Sequence, residues 1–144
     1  MQIQPYLFFD GRCDEAIEFY KKALGAKVQM LMRFKDSPMP HDPDKCGGAA
    51  APPGENVMHG HLKIGESDVL VSDGQSTGKA KFDGFSLAVP CKTVVEVDRY
   101  FAALSEGGTV LMPLGKTFFT EKFGMLADKF GVHWMLLVES GKPG

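Results

Sequence analysis

The segment Tyr20-Lys21-Lys22-Ala23-Leu24 has a counterpart in the second half of the chain, Tyr100-Phe101-Ala102-Ala103-Leu104. Gly25-Ala26-Lys27-Val28 returns in the same way as Gly107-Gly108-Thr109-Val110. This repeat is longer than the units of solenoid arrays. It indicates two related halves that pack on each other, and we expect a ligand to bind in the cleft between them.

Composition and charge argue against several classes of protein. The chain has 144 residues and a net charge of −2 with no basic run, so a nucleic-acid partner is not expected. No apolar stretch approaches the roughly 20 residues needed to cross a bilayer, so no membrane partner is expected either. The N-terminus lacks the pattern of a signal peptide. Cys13, Cys46 and Cys91 are odd in number and widely spaced, which predicts free thiols and a cytoplasmic location.

Hydrophobic periodicity predicts the order strand, helix and three strands, repeated once. One helix per half covers one face of a sheet and leaves the other face free, so the predicted class is α+β. The predicted elements of the first half are a strand at 3–9, a helix at 14–24 ended by Gly25, and strands at 26–34, 57–64 and 69–71. Those of the second half are a strand at 85–89, a helix from a Thr93 cap to Gly107, and strands at 109–114, 118–127 and 133–139.

The stretch 35–55 is rich in proline and has no periodicity of its own. Long loops of this kind within a compact domain are commonly lids, so we interpret it as a lid over the cavity. Gly65-Glu66-Ser67-Asp68 and Asp128-Lys129-Phe130-Gly131 are predicted to be the turns between the last two strands of each half.

Four phrases of the sequence resemble a known family. They are Pro5-Tyr6-Leu7-Phe8-Phe9, Glu15-Ala16-Ile17-Glu18-Phe19-Tyr20, Val57-Met58-His59 and Asp128-Lys129-Phe130-Gly131-Val132-His133-Trp134. Together with the element order, they resemble the vicinal oxygen chelate superfamily, which includes glyoxalase I, extradiol dioxygenases and bleomycin resistance proteins. The closer likeness is to its PhnB-like branch, often labelled 3-demethylubiquinone 3-methyltransferase-like. The resemblance implies a single glyoxalase-like domain over 1–144, built of two paired βαβββ modules at 1–74 and 82–140 that form a cleft.

Metal-dependent members of this superfamily hold a cation with four ligands that line the cavity, two from each half. The resemblance puts three of these positions on Pro5, near Gly84 and on Met135, and the internal repeat puts the fourth at about Val69, with Val71 as the next choice. None of them offers an imidazole or a carboxylate, and a thioether is too soft for most of the metals concerned. We therefore predict no metal and no other cofactor in the cavity.

His59 and His61 lie two residues apart on one predicted strand, so their side chains point to the same face. On a cavity face they could hydrogen-bond an anionic or carbonyl ligand, or act as acid and base. They could also form an unusual metal site, with His41 or Glu55 as the third donor. The alternative is a half-exposed pair with no specific role.

Strand parity predicts the rest of the cavity lining. If Pro5 faces the cavity, the next inward residues of the first strand line it too, and Tyr6 and Phe8 pack against the helix. The same argument turns Trp134 away from the cavity. Ser72 could instead bond the backbone of its own turn. The predicted ligand-binding residues are His59, His61, Leu7, Phe9, Ser72, Ser86, Met135 and Leu137.

The first functional hypothesis is a protein that binds a small, largely apolar ligand in a metal-free cavity, with no reaction assigned. The alternative is a metal-dependent lyase or dioxygenase-type enzyme that uses His59 and His61. A methyltransferase is disfavoured, because no glycine-rich loop follows a first parallel strand. The open sheet edge in each half predicts a homodimer.

Overall fold

The computed structural model describes residues 1–36, 53–74 and 80–139. The chain separates into two compact units, Met1–Ala80 and Lys81–Gly144. Most of the predicted lid, together with His41 and Cys46, lies outside the described residues. Neither helix in the described part of the chain has the length and the apolar run that a membrane crossing requires.

The first unit contains one helix and a four-stranded sheet among its described residues. In chain order its elements are β1 (Tyr6–Phe8), α1 (Cys13–Leu24), β2 (Lys27–Arg33), a 3-10 turn (Phe34–Asp36), β3 (Val57–Ile64) and β4 (Ser67–Ser72). The strands lie in the order β1-β4-β3-β2. β1 runs parallel to β4, and the other neighbouring strands pair antiparallel.

The second unit repeats this plan within its described residues. Its elements are β5 (Leu87–Cys91), α2 (Val94–Ser105), β6 (Thr109–Gly115), β7 (Phe123–Ala127) and β8 (His133–Val138). The strand order β5-β8-β7-β6 matches that of the first unit, and β5 runs parallel to β8. The predicted order of strand, helix and three strands, and the α+β class, are confirmed.

The two helices begin in different ways. At α2 the hydroxyl of Thr93 accepts a hydrogen bond from the backbone N–H of Glu96 at 3.2 Å, as the predicted cap requires. The residue before α1 provides no side-chain cap. Instead, the carboxylate of Asp73, at the end of β4, accepts from the N–H groups of Gly11 and Cys13 at 2.7 and 2.9 Å. The start of α1 is therefore fixed by a residue distant in sequence.

Two predicted strands are shorter in the structure. β1 covers only part of the predicted 3–9, and β7 begins at Phe123 rather than at 118. Before β7, the N–H of Thr117 donates to the carbonyl of Thr120 at 3.0 Å, and the Thr120 hydroxyl donates to the carbonyl of Val138 at 2.8 Å. These turn contacts take the place of ladder hydrogen bonds, so the chain does not extend there.

Candidate ligand-binding site

The side of the first sheet that α1 covers carries Leu7 and Phe9. Both are buried, and the ring centroid of Phe9 lies 6.2 Å from that of Tyr20 in α1. The predicted placement of Leu7 and Phe9 on the cavity side, with Tyr6 and Phe8 against the helix, is therefore wrong. The alternation of side chains along β1 was predicted correctly, but the side covered by the helix was not. Strand parity determines which residues share a face and does not determine which face a helix covers.

We call the side of this sheet opposite α1 the first open face. Tyr6 pairs with Leu70, Leu70 with His61, and His61 with Met30, so these four residues form one row across the strands. The register places His59 on the same side as His61. The first open face comprises Tyr6, Phe8, Lys27, Met30, Met32, His59, His61, Lys63, Asp68, Leu70 and Ser72.

Tyr6 and His59 form a hydrogen-bonded pair on the first open face. The Tyr6 Oη atom lies 2.7 Å from His59 Nδ1, and the two ring centroids are 5.4 Å apart. Phe8 stacks on Tyr6 with a centroid distance of 4.8 Å and an interplanar angle of 8°. Burial raises the pKa of the Tyr6 phenol, so its hydroxyl stays protonated at neutral pH. The result is an aromatic platform with a hydrogen-bonding edge.

His61 is held by a carboxylate on the neighbouring strand. Its Nε2 atom lies 2.9 Å from Asp68 Oδ1. Lys63 Nζ lies 3.4 Å from the same oxygen, and the side-chain amide of Gln2 donates to Asp68 Oδ2 at 3.2 Å. The hydrogen bond from His61, supported by Lys63, lowers the pKa of the Asp68 carboxyl. An ionised carboxylate can only accept, so His61 Nε2 carries the proton.

The Ser72 hydroxyl is buried and forms hydrogen bonds with the backbone. It donates to the carbonyl of Met58 at 2.6 Å and accepts from the N–H of Gly74 at 2.8 Å. A hydroxyl has one proton to donate, and here a carbonyl already receives it. The structure thus shows the turn contact that was the alternative for Ser72, and a ligand contact by this residue stays a prediction.

In the second sheet, α2 covers the side that contains Gly124 and Trp134. A Cβ atom on Gly124 would lie 2.7 Å from Cε2 of Phe101 in α2, and Trp134 is buried. Met135 and Leu137 alternate with Trp134 along β8 and are half-buried. They therefore lie on the opposite side from Trp134, as the parity argument predicted. We call that side the second open face.

The second open face is mainly apolar. Ser86 precedes β5 by one residue and is half-buried. His133 begins β8, opposite Ala127. The other residues of this face include Ala88, Pro90, Met112, Phe123, Met125, Met135 and Leu137.

The register corrects the ligand position that the internal repeat placed at Val69. Met135 pairs with Met125, and the corresponding pair of the first sheet is Leu70 with His61. The counterpart of Met135 is therefore Leu70. Val69 and Val71, which were predicted instead, are buried on the side that α1 covers. Met135 lies four residues after Gly131, whereas Leu70 lies five residues after Gly65, so an alignment of the two turn glycines is out of register by one residue.

The donor atoms on the first open face do not fit a resident metal ion. Among the described residues, no three His, Cys, Asp or Glu side chains form a group that could hold one. His59 and His61 are each bonded to a neighbour, and Glu55, a predicted third donor, pairs with Lys35 at 2.8 Å. A divalent cation requires several such donors at one point.

Sequence reasoning missed two residues of this site, Tyr6 and Asp68. For Asp68 a signal was present, since the predicted hairpin sets β4 beside the strand of His61 and makes a diagonal contact possible. For Tyr6 the sequence offers no comparable signal, because its role depends on which face α1 covers.

Comparison with known proteins places the chain among characterised folds. Residues 1–137 match the family model described as 3-demethylubiquinone-9 3-methyltransferase. The chain is 34% identical to Protein YjdN from Escherichia coli over 99% of both chains. It is similar to the crystal structure of protein PA1353 from Pseudomonas aeruginosa, with 37% identity, a TM-score of 0.81, and coverage of 96% of this chain and 98% of that one. The fold alone is shared with a glyoxylase/bleomycin resistance protein/dioxygenase domain from Frankia, at 13% identity and a TM-score of 0.65 over 99% and 95% of the chains.

Proposed function

The chain belongs to the family described as 3-demethylubiquinone-9 3-methyltransferase, a PhnB-like branch of the vicinal oxygen chelate superfamily, and from this premise we propose that it binds a small, largely apolar ligand without a metal ion. The ligand lies on the first open face. The proposed function is binding, and no reaction is assigned to the protein.

The observation that supports this proposal is the mixed chemistry of the first open face. Tyr6, Phe8 and Leu70 offer apolar surface, whose burial contributes about 25 cal/mol per Å². His59 and His61 offer polar atoms beside that surface. A largely apolar wall with a few convergent polar groups is the usual composition of a small-molecule site.

The methyl transfer named in the family description does not fit this fold. Folds that bind nucleotide-type cofactors use a parallel sheet with a glycine-rich turn after the first strand. Here β1 is followed by Asp10-Gly11-Arg12, and its sheet is mixed. Calorimetry with S-adenosylmethionine should therefore show no heat of binding.

The metal-dependent alternative would be a lyase or dioxygenase-type reaction at His59 and His61. It needs a third donor close to both imidazoles, and the described residues do not bring one there. Elemental analysis of protein purified without chelator separates the two functions. A stoichiometric content of zinc, nickel, manganese or iron would favour the alternative.

Binding of an apolar reporter tests the proposed function. The fluorescence of phenylnaphthylamine, which is uncharged and has no hydroxyl, should rise saturably with protein. Leu70→Glu should weaken its binding by about tenfold or more, because a charge then lies in the apolar surface that Leu70 forms with Tyr6 and Phe8. Val95→Glu, on the exposed side of α2, is the matched control and should leave the affinity unchanged. Equal affinities for the two variants would contradict the proposed site.

We also propose that the protein forms a homodimer. β2 is an edge strand and exposes Val28, Met30 and Leu31. An uncovered apolar edge is a surface on which a second chain can pair. Sedimentation equilibrium should give twice the mass of the chain, and a monomer mass at all concentrations would exclude the dimer.

A further inference from the structure

We propose that His61 acts as a base toward the ligand, and that the site therefore selects small aromatic or enolic molecules with an acidic hydroxyl group. The inference rests on the proposed function, since it concerns a ligand on the same face of the first sheet. It adds the chemical class of that ligand and one proton transfer.

The hydrogen-bond pattern of His61 leaves one ring nitrogen available. Nε2 forms a hydrogen bond with the Asp68 carboxylate at 2.9 Å. Among the described residues, none forms a hydrogen bond with Nδ1. In the neutral ring the proton is on Nε2, so Nδ1 has a lone pair and accepts. The side chain of His61 is 32% exposed, so a ligand can reach it.

Asp68 is positioned to stabilise the charge that His61 would acquire. It lies diagonally across the β3–β4 ladder from His61 and is fixed by contacts with Gln2 and Lys63. A carboxylate bonded to one imidazole nitrogen orients the ring and stabilises the imidazolium that forms when the other nitrogen takes a proton. The remaining titratable groups on this face are Tyr6, His59, Lys63 and Lys27, which pairs with Lys63.

The spacing of the row suits a ligand with one ring. Neighbouring strands lie about 4.8 Å apart, so the backbones at Tyr6 and His61 are separated by about 10 Å, with Leu70 between them. A ring placed over Leu70 contacts the stacked rings of Tyr6 and Phe8 at one end. Its hydroxyl then lies beside His61 at the other.

The proposed step is a single proton transfer. The ligand O–H bond breaks and its electron pair stays on the ligand oxygen. The proton joins the lone pair of His61 Nδ1. The products are a phenolate or enolate and an imidazolium, which remain as an ion pair while Asp68 stays ionised. No metal, oxidant or other reactant takes part.

The protonation state of bound para-nitrophenol tests this step, because its phenolate absorbs visible light and its phenol does not. At a pH below the pKa of the free probe, wild-type protein should increase the phenolate absorbance saturably. His61→Gln should lower the affinity for the phenolate by about tenfold or more, since it removes a charge-assisted hydrogen bond. Asp68→Asn should shift the bound probe toward the phenol, because the imidazolium loses its partner charge. His133→Gln, a matched change in the second unit, should behave as wild type.

Phenylnaphthylamine binding separates failure of this inference from failure of the proposed function. If phenylnaphthylamine binds while para-nitrophenol stays a phenol, or binds as phenolate equally well to His61→Gln, the base role is wrong and the binding function stands. If neither probe binds to the wild-type protein, both proposals are overturned.

Discussion

The open faces of the two sheets have the same backbone plan and different chemistry. In the first sheet the central row runs Tyr6, Leu70, His61 and Met30. In the second sheet the corresponding row runs Ala88, Met135, Met125 and Met112. The strand orders agree, and β2 and β6 each skip one residue of the ladder at the corresponding point, after Val28 and after Val110. The hydrogen-bonding residues Tyr6 and His61 of the first row thus correspond to the apolar residues Ala88 and Met125 of the second.

This difference shows that the repeat preserves the scaffold and not the site. Positions under each helix correspond closely: Gly60 and Gly124 occupy the same place in β3 and β7, and Leu62 corresponds to Leu126. Positions on the open faces do not. Polar side chains on the open faces therefore belong mainly to the first unit. Mutations can test the scaffold and the site separately.

The largest expected effect is on the scaffold, at the buried carboxylates. Asp73 accepts from the N–H groups of Gly11, Cys13 and Val57, and Asp128 accepts from two backbone N–H groups and the Trp134 indole. Asp73→Asn and Asp128→Asn should each lower the free energy of unfolding by about 3 kcal/mol, because an uncharged amide replaces the carboxylate that accepts from these N–H groups. Urea denaturation measures this loss.

Asp83→Asn is the control for those two variants, since Asp83 is exposed and its change should cost less than about 0.5 kcal/mol. If either variant proved as stable as wild type, the buried hydrogen bonds of that carboxylate would not stabilise the unit as expected.

The next effect distinguishes the two glycines under the helices. At Gly124 a Cβ atom would lie 2.7 Å from both Phe101 Cε2 and Leu114 Cδ2, whereas at Gly60 it would lie 2.8 Å from Val71 Cγ2 and 3.4 Å from Leu31 Cδ1. We expect Gly124→Ala to lower stability by about 2–3 kcal/mol and Gly60→Ala by about 1 kcal/mol. The reason is that the ring of Phe101, packed in α2, can shift less than the methyl group of Val71. Thermal unfolding of both variants checks the order, and the reverse order would be inconsistent with it.

A smaller effect concerns the ion pair found on the first open face. The folded-state pKa of Asp68 is lowered chiefly by its hydrogen bond from His61. The stabilisation is therefore present above the unfolded pKa of about 4 and is lost as the pH falls through the folded value. Asp68→Asn should be slightly less stable than wild type near neutral pH and equal to it in acid, as measured by thermal unfolding across pH.

Glu66→Gln, in the exposed turn beside β4, should show no such pH dependence relative to wild type. A stability difference for Asp68→Asn that persisted unchanged in acid would show that packing, and not charge, causes it.

The smallest effect compares one thiol from each unit. Burial raises the pKa of Cys13, with Asp73 adding to the shift, and burial also raises the pKa of Cys91. Both thiols therefore stay protonated well above neutral pH and react slowly. In a Cys46→Ser variant, a thiol reagent should label neither cysteine in the native protein at neutral pH and both after denaturation. Rapid native labelling of Cys13 would contradict its burial.

Features that depend on residues near one another in sequence were predicted. The helix that ends at Gly25 is present, and Gly25 has the left-handed φ of 69° that ends a helix readily. The Thr93 cap and the turn after Ala127 also follow from local hydrogen bonding. The pairing of His59 and His61 on one face required only the period of a strand.

The sequence alone determined the repeated order of elements, the family and the parity along each strand, because each rests on local periodicity or on short phrases. Tertiary structure determined which face of β1 is covered, through the packing of Phe9 on Tyr20. It also determined the cap of α1 by Asp73 and the hydrogen bonds of Tyr6 and Asp68 with the two histidines. The physical reason is that these contacts join segments far apart in the chain, and only the folded register brings their atoms within hydrogen-bonding distance.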